Sequence, residues 1–356
     1  MEYLTQITAP RVPTVDEVIR GFLAEYKSTE AKSPSKLPGL ERLKRLEVAR
    51  VRRSSRWLMG LVRDVTRGMP FLNDLHPFYR ELVSLLIDVN QYRHSLGKVA
   101  GVERAVASIA REAISMIKAS QDRASVVRAR RMYIARILDV LNDVAPELSV
   151  IRDASFKLRK IPSINPNKPT IVIAGMPNTG KSSLTACIST KKPEVAEYPF
   201  TTKQIIIGHV KVYGTYAVQV VDTPGLLDRP LSERNRIELQ AILALRYLAD
   251  SIIFMLDPTP HSGYSLDSQL RLLREVLENF KTYLVVAINK IDIASSDEVN
   301  RAIEALRQLN VPYRPVSALE CRGTRDIVDE LVNGPLSGKL RDYLKAIHEE
   351  SIKAGA

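Results

Sequence analysis

The chain has 356 residues, 45% of them apolar and 26% charged, which excludes a mostly disordered or fibrous protein and leaves room for two domains. Its net charge of +12 is unevenly placed: 29 basic and 18 acidic residues fall in 1–165, against 23 and 22 in the remainder. A basic half joined to a nearly neutral half points to a polyanion-binding module attached to something else, although a solvated helix surface would give the same count. Cys187 and Cys321 are too few for a metal cluster or a disulfide framework and fit a reducing cytosol. There is no run of about 18 apolar residues, and the first residues lack the charged and apolar regions of a signal peptide. A cytoplasmic protein with no membrane partner is therefore expected.

Residues 1–160 read as long helices, because glycine is sparse and apolar residues recur at spacings of three and four. Leu82, Leu85, Leu86 and Val89 share one face. Ile109, Ala113, Met116 and Ile117 share another, and Ile134, Ile137, Leu138 and Leu141 a third. Breaks are expected at Gly68-Met69-Pro70, at His76-Pro77 and across Gly97–Gly101, with a loop over 32–38. The pattern predicts a basic helical bundle over 1–160. Residues 160–169 carry three prolines and predict a linker over 161–169. Beyond it, apolar runs at 170–174, 205–212, 217–221, 251–256, 283–288 and 313–316 alternate with helical stretches. That alternation predicts an α/β domain over 170–335 with a mostly parallel sheet, and a terminal helix over 336–356.

Gly175-Met176-Pro177-Asn178-Thr179-Gly180-Lys181-Ser182, followed by Ser183, matches the pattern of a phosphate loop and sits between a strand and a helix. Glycines let such a loop turn its N–H groups toward phosphate oxygens at a helix N-terminus. Lys181 adds positive charge near the β- and γ-phosphates, and the Ser182 hydroxyl is placed to ligate Mg²⁺. Asp222-Thr223-Pro224-Gly225 ends another strand. Its carboxylate can hold the magnesium through water, and Gly225 can offer its N–H to the γ-phosphate. Asn289-Lys290-Ile291-Asp292 ends a third strand. Asp292 can accept from N1–H and the 2-amino group of guanine, a donor pair that adenine lacks, and Lys290 can lie along the base. Ser317-Ala318 can contact the guanine O6. The order and spacing of these four pieces are those of a GTPase, with GTP and GDP as ligands. Between the first and second lies Tyr198-Pro199-Phe200-Thr201-Thr202-Lys203, where a loop ordered by GTP could offer a threonine hydroxyl to Mg²⁺.

With these residues in place the chain resembles the nucleolar GTP-binding protein 1 family of Obg-related GTPases. The resemblance runs from about 70 to 295. It rests on Leu75-His-Pro-Phe-Tyr-Arg80, Ile161-Pro-Ser-Ile-Asn-Pro166, Gly175–Ser183, Tyr198–Lys203 with Gly208-His209, and Gln219-Val-Val-Asp-Thr-Pro-Gly-Leu-Leu-Asp228. It continues through Glu233-Arg-Asn235, Ile237-Glu238, Gln240-Ala-Ile242 and Gly263-Tyr264-Ser265, while the first 60 residues match only loosely. The resemblance implies a helical N-terminal domain followed by a Ras-like P-loop GTPase domain. It implies a role in assembly of the large ribosomal subunit, with rRNA in the pre-ribosomal particle as partner. Hydrolysis by the protein alone is expected to be slow, because Leu226 offers no side chain to orient water. The resemblance favours Thr202 over Thr201 as the magnesium-binding threonine. The chain looks like a short, archaeal-type member, expected to be monomeric off the ribosome.

Two further expectations concern chemistry. Leu226 stands where Ras-like GTPases carry a water-orienting glutamine, so the catalytic group must come from elsewhere. Asn178 either helps hold a potassium ion beside the phosphates, as related GTPases do at this position, or only hydrogen-bonds the loop. For RNA, Arg123, Arg128, Arg131 and Arg136 form the densest basic cluster, with Arg130 turned elsewhere, and Arg52, Arg53 and Arg56 belong to a second with Arg45 and Arg50. Trp57, Tyr79 and Tyr92 could stack on bases or pack in the core. The rival reading is a GTPase switch whose helical half binds a protein.

Overall fold

The computed structural model describes residues 7–30, 38–199 and 204–354. Its helices before the sheet are α1 (Val15–Ser28), α2 (Gly39–Gly68), α3 (Pro77–Leu86), α4 (Val89–Ala119), α5 (Arg123–Asp143) and α6 (Ala145–Leu158). Contacts divide the chain into two units. One comprises Thr8–Phe71 and Leu86–Arg159; the other takes Leu72–Leu85 together with the chain from Lys160 onward.

In the helical unit each long helix buries a stripe spaced by three and four. On α4 it is Val99, Val102, Val106, Ile109, Ala113 and Ile117, and on α5 Val126, Ala129, Tyr133, Ile137 and Leu141. α1 starts where Thr14 and Glu17 form a capping box. Gly21 on α1 is needed for packing: a Cβ there would lie 2.4 Å from the ring of Trp57 on α2. Trp57 therefore packs, and Tyr92 is buried, its hydroxyl donating to the Pro70 carbonyl at 3.0 Å. Inside the unit the buried Glu47 accepts from the Tyr26 hydroxyl and from Arg50 at 3.0 Å, with Arg130 at 3.7 Å. The expected break across Gly97–Gly101 does not occur, because α4 runs through both glycines. Each costs roughly 1 kcal/mol of helix propensity, which the buried Val99 and Val102 beside them offset.

The second unit carries β1 (Thr170–Ala174), β2 (Glu194–Glu197), β3 (Gln204–Val212), β4 (Thr215–Asp222), β5 (Ser251–Leu256), β6 (Tyr283–Ile288) and β7 (Tyr313–Pro315). Its later helices are α7 (Lys181–Ile188), α8 (Arg236–Ala244), α9 (Leu266–Asn279), α10 (Ser296–Gln308), α11 (Thr324–Asn333) and α12 (Ser337–Ala354). The sheet order is β2-β3-β4-β1-β5-β6-β7. Pairing is parallel from β4 through β7 and antiparallel for β2 with β3 and β3 with β4. β1 and β5 are buried along their whole length, as strands covered on both faces must be. One face of the sheet packs Ile171, Ile173, Ile253 and Met255 against Leu184 of α7, Ile327 and Leu331 of α11 and Leu340 of α12. β2 was not expected from the sequence: it is a short, largely exposed edge strand of charged character, without the apolar run that marks the others.

The proline-rich stretch expected as a linker is instead bound to this unit. Ile161 and Ile164 are buried, and the Tyr79 hydroxyl donates to the Ile164 carbonyl at 2.5 Å and accepts from the Ile164 N–H at 2.9 Å. Gln219 on β4 donates its amide to the Asn165 carbonyl at 2.6 Å and its N–H to the Pro169 carbonyl at 2.9 Å. Prolines break the helix there, yet the carbonyls they leave open still find donors. The cysteines depart from expectation as well. Cys187 on α7 and Cys321 beyond β7 form a disulfide, their Cα atoms 5.5 Å apart across a sequence separation of 134. A count of two allowed one pair, and only the fold could bring it together.

Candidate functional site

The segments that follow β1, β4, β6 and β7 meet at the carboxyl edge of the sheet, where open α/β folds bind ligands. They enclose a cleft of about 610 Å³ lined by Pro177, Asn178, Gly180, Lys181, Ser182 and Ser183 from the first. Pro224, Gly225 and Asp228 follow β4. Asn289, Lys290, Asp292 and Ile293 follow β6, and Leu319 follows β7.

The loop after β1 depends on its glycines. Gly175 has φ 138° and a Cβ there would strike the Met255 carbonyl at 2.4 Å; Gly180 has φ 97° and a Cβ would strike the Asn289 amide at 2.2 Å. Asn178, exposed at φ 61°, also occupies the left-handed region. Thr179 is buried and donates from its hydroxyl to the Met176 carbonyl at 2.8 Å. Lys181 is buried, with Nζ donating to the Gly175 and Met176 carbonyls at 2.7 and 2.8 Å. Burial pulls its pKa below the usual lysine range, opposed by the carboxylates of Asp222 and Asp228. A desolvated ammonium hydrogen-bonded to carbonyls is set to gain from an incoming anion.

Asp222 at the end of β4 is buried and accepts from the Ser182 hydroxyl at 2.9 Å, while its Oδ1 is buried with no partner among the described residues. Burial raises its pKa, with the Ser182 bond and the Lys181 charge opposing. Ser182 beside a carboxylate with a spare oxygen fits a hard cation held by a hydroxyl, by phosphate oxygens and through water. Thr223 fixes the turn by donating to the Ile173 carbonyl at 2.7 Å. Thr201 and Thr202 lie outside the described residues, so the choice between them stays with the resemblance.

At the other end of the cleft, Asn289 ties three loops together. Its amide donates to the Thr179 carbonyl at 2.8 Å, and its Oδ1 accepts from the Ala318 N–H at 2.8 Å. Ser317 is buried and accepts at Oγ from the Glu320 N–H at 3.2 Å. Asp292 keeps a buried Oδ1 without a partner among the described residues. Ile293 and Leu319 line the same end and are 56% and 82% exposed, two apolar side chains that a flat base could cover.

For several residues the sequence reading gave no structural role. Arg234, its side chain 1% exposed, donates to the Leu226 carbonyl at 2.8 Å, to Asp228 at 3.1 Å and to Glu238 at 2.6 Å, pinning the segment after Gly225. Leu226 itself is buried. Tyr198 is buried and donates to the Ala241 carbonyl of α8 at 2.7 Å, so the segment ahead of the two threonines is anchored to the helix after Gly225. Asp257, just past β5, lies 2.6 Å from Lys290 Nζ. A carboxylate at the carboxyl end of a parallel strand was the available signal for it.

Among the RNA candidates, Arg52, Arg53, Arg56, Arg123, Arg128, Arg131 and Arg136 are all exposed on α2 and α5. Arg53 pairs with Glu25 at 2.8 Å and Arg136 with Glu112 at 2.5 Å. Arg52, Arg56, Arg123, Arg128 and Arg131 form no ion pair among the described residues. No described helix is long and apolar enough to cross a membrane.

A glycine-shaped phosphate loop, a buried lysine, a serine–aspartate pair and an asparagine-centred base end, on a sheet of this order, define a P-loop GTPase. Comparison narrows the class. Residues 8–165 match the family described as NOG1 N-terminal helical domain, and residues 236–292 match nucleolar GTP-binding protein 1 (NOG1). An uncharacterized protein of Methanocaldococcus jannaschii is 35% identical over 81% of this chain and 82% of its own length. Nucleolar GTP-binding protein 1 of Eremothecium gossypii is 31% identical over 82% of this chain and 45% of its own length. A Plasmodium falciparum crystal structure described as a nucleolar GTP-binding protein 1 superposes with a TM-score of 0.43 at 28% identity, over 55% of this chain and 100% of that one. The chain belongs to the nucleolar GTP-binding protein 1 family and is a GTP-binding protein with a GTPase fold. It spans about half the length of its fungal relatives. The cytoplasmic expectation is overturned, since relatives from Eremothecium gossypii, Saccharomyces cerevisiae and Drosophila melanogaster are named for the nucleolus.

Proposed function

We propose that the protein binds GTP with magnesium, hydrolyses it slowly on its own, and uses the nucleotide state to control binding to rRNA during assembly of the large ribosomal subunit. The observation that carries the nucleotide half is the base end of the cleft. Asp292 Oδ1 there is buried without a partner among the described residues and calls for a donor, and guanine supplies two where adenine supplies none at those positions. Ser182 and Asp222 would hold the magnesium, directly and through water, where it would neutralise charge building on the phosphates. Lys181 moves from its carbonyls to the β- and γ-phosphate oxygens. The N–H groups of the loop after β1 and of Gly225 face the same anions. With Leu226 buried, Asn178 remains the candidate for holding a potassium ion that would offset transition-state charge. Support for the RNA half comes from the charge excess in 1–165, the exposed arginines, and the names of the relatives.

The test is nucleotide competition. Wild type is expected to prefer GTP to ATP, and Asp292→Asn to shift preference from guanine to xanthine, because the amide presents a donor where guanine also donates. Equal affinity of wild type for ATP and GTP would refute the assignment.

A further inference from the structure

Asp257 has no place in the four motifs that define the cleft, yet its surroundings are built with care. Its side chain is completely buried at the carboxyl end of β5. A carboxylate so placed costs several kcal/mol unless it is paired and hydrogen-bonded. Oδ1 accepts from the Thr259 N–H at 2.9 Å and the Thr259 hydroxyl at 2.7 Å; Oδ2 is ion-paired with Lys290 Nζ at 2.6 Å and accepts no hydrogen bond among the described residues, so the Lys290 charge is what compensates it. The backbone at 257 is held on both sides by one side chain. Gln269, fully buried on α9, accepts from the Asp257 N–H at 2.9 Å and donates to its carbonyl at 2.8 Å. The next strand end is tied in as well, with the Asn289 N–H donating to the Leu256 carbonyl at 2.8 Å.

We infer that Asp257, held by Gln269, is a positioning residue that fixes Lys290 across the base end of the cleft and thereby sets guanine-nucleotide affinity. The inference rests on the guanine reading of that cleft. The turn at Thr259 needs an acceptor, which asparagine would provide equally well; among the described residues the negative charge is ion-paired with Lys290 alone. Lys290 sits at φ 61°, a left-handed conformation that is unfavourable for a side-chain-bearing residue and that the Asp257 pair helps to hold. Charge placement gives a second reason. Lys290 and Asp292 line the same cleft, and Asp292 keeps a buried oxygen without a partner among the described residues. An unrestrained ammonium two residues away would be drawn to that oxygen and would compete with the N1–H and 2-amino donors of guanine. Asp257, completely buried, pairs with the Lys290 ammonium and so leaves Asp292 open and the four-carbon stem of Lys290 in the cleft lining, available to a base.

The experiment uses the full chain with GDP and GTP as probes. Asp257→Asn keeps the Thr259 turn and removes the charge. It is expected to raise the dissociation constants of GDP and GTP by the same factor, about tenfold, which corresponds to about 1.4 kcal/mol. The single-turnover hydrolysis rate at saturating GTP should move far less than the dissociation constants, since the charge acts at the base end. Lys290→Ala should also weaken both nucleotides. Adding Asp257→Asn to it should cost nothing more, because the positioned side chain is already gone. Unchanged affinity in Asp257→Asn overturns the inference, as does a full additive loss in the double variant. A fall in the saturated rate larger than the loss of affinity overturns it too. If wild type bound ATP as well as GTP, the guanine reading would fall first and this inference with it; normal guanine selectivity with a silent Asp257→Asn removes only the latter.

Discussion

Gly180 shows how much of the site is decided by a single missing atom. Its φ of 97° and the 2.2 Å approach of the Asn289 amide leave no room for a methyl group, and that amide holds the Thr179 carbonyl at 2.8 Å. Gly180→Ala must therefore break the bond between the phosphate end and the base end of the cleft, on top of roughly 1–3 kcal/mol of backbone strain. GDP affinity is expected to fall by more than tenfold with a smaller loss in thermal midpoint, read by competition binding and calorimetry. Wild-type affinity in that variant would show that the Asn289 bridge does not hold the site. Gly180, Lys181, Asp222, Asn289 and Asp292 were legible in the sequence because their spacing follows from short loops on strand ends, each a local property. The roles of Asp257, Gln269 and Arg234 were not. These residues are buried polar groups whose need for partners becomes visible only when α9, β5 and β6, or the segment after Gly225, are seen side by side.

Among the elements, the strands and long helices could be read from periodicity, since burial on one face or two imposes its own spacing. What periodicity missed was set by packing: α4 continuing through Gly97 and Gly101, the exposed edge strand β2, and the proline-rich 161–166 stretch bonded to Tyr79 and Gln219. The disulfide belongs at this scale as well, because it ties α7, which starts from the phosphate loop, to the turn that carries Ser317 and Ala318. Closing a separation of 134 residues restricts the unfolded chain by about 5 kcal/mol in the chain-entropy account, before any native-state cost. Reduction is expected to lower the thermal midpoint of the protein and to speed release of bound GDP, because the turn is then held by hydrogen bonds such as Ala318 to Asn289 and Ser317 to Arg322 without a covalent tie to α7. The Cys187→Ser, Cys321→Ser double variant should behave as the reduced protein and ignore added reductant. A midpoint indifferent to reductant in the wild type would show that the bond does not tie the loop down.

Across the whole molecule the two units interleave in sequence, and this decides how RNA binding must be tested. Leu72–Leu85, with Tyr79 holding the Ile164 backbone, belongs to the GTPase unit although it lies within the basic half. A fragment ending at 165 would carry away part of the other unit's core, so the measurement requires the full chain. The structure also sorts the arginines. Arg53 and Arg136 must give up Glu25 and Glu112 to reach a phosphate, whereas Arg52, Arg56, Arg128 and Arg131 have no ion pair to break among the described residues. If the helical unit binds rRNA, the affinity for a large-subunit rRNA duplex should fall steeply with salt, by about 0.9 log unit per log unit of salt for each phosphate neutralised. Changing Arg52, Arg56, Arg128 and Arg131 singly to Gln should reduce that slope by about 0.9 for each arginine that meets a phosphate, while Arg53→Gln and Arg136→Gln should change it less. Filter binding across a salt series reads both quantities from one titration. A slope near zero in the wild type would contradict the RNA reading. It would leave the basic helical face to a protein partner, whose affinity should follow the shape of that surface more than its charge.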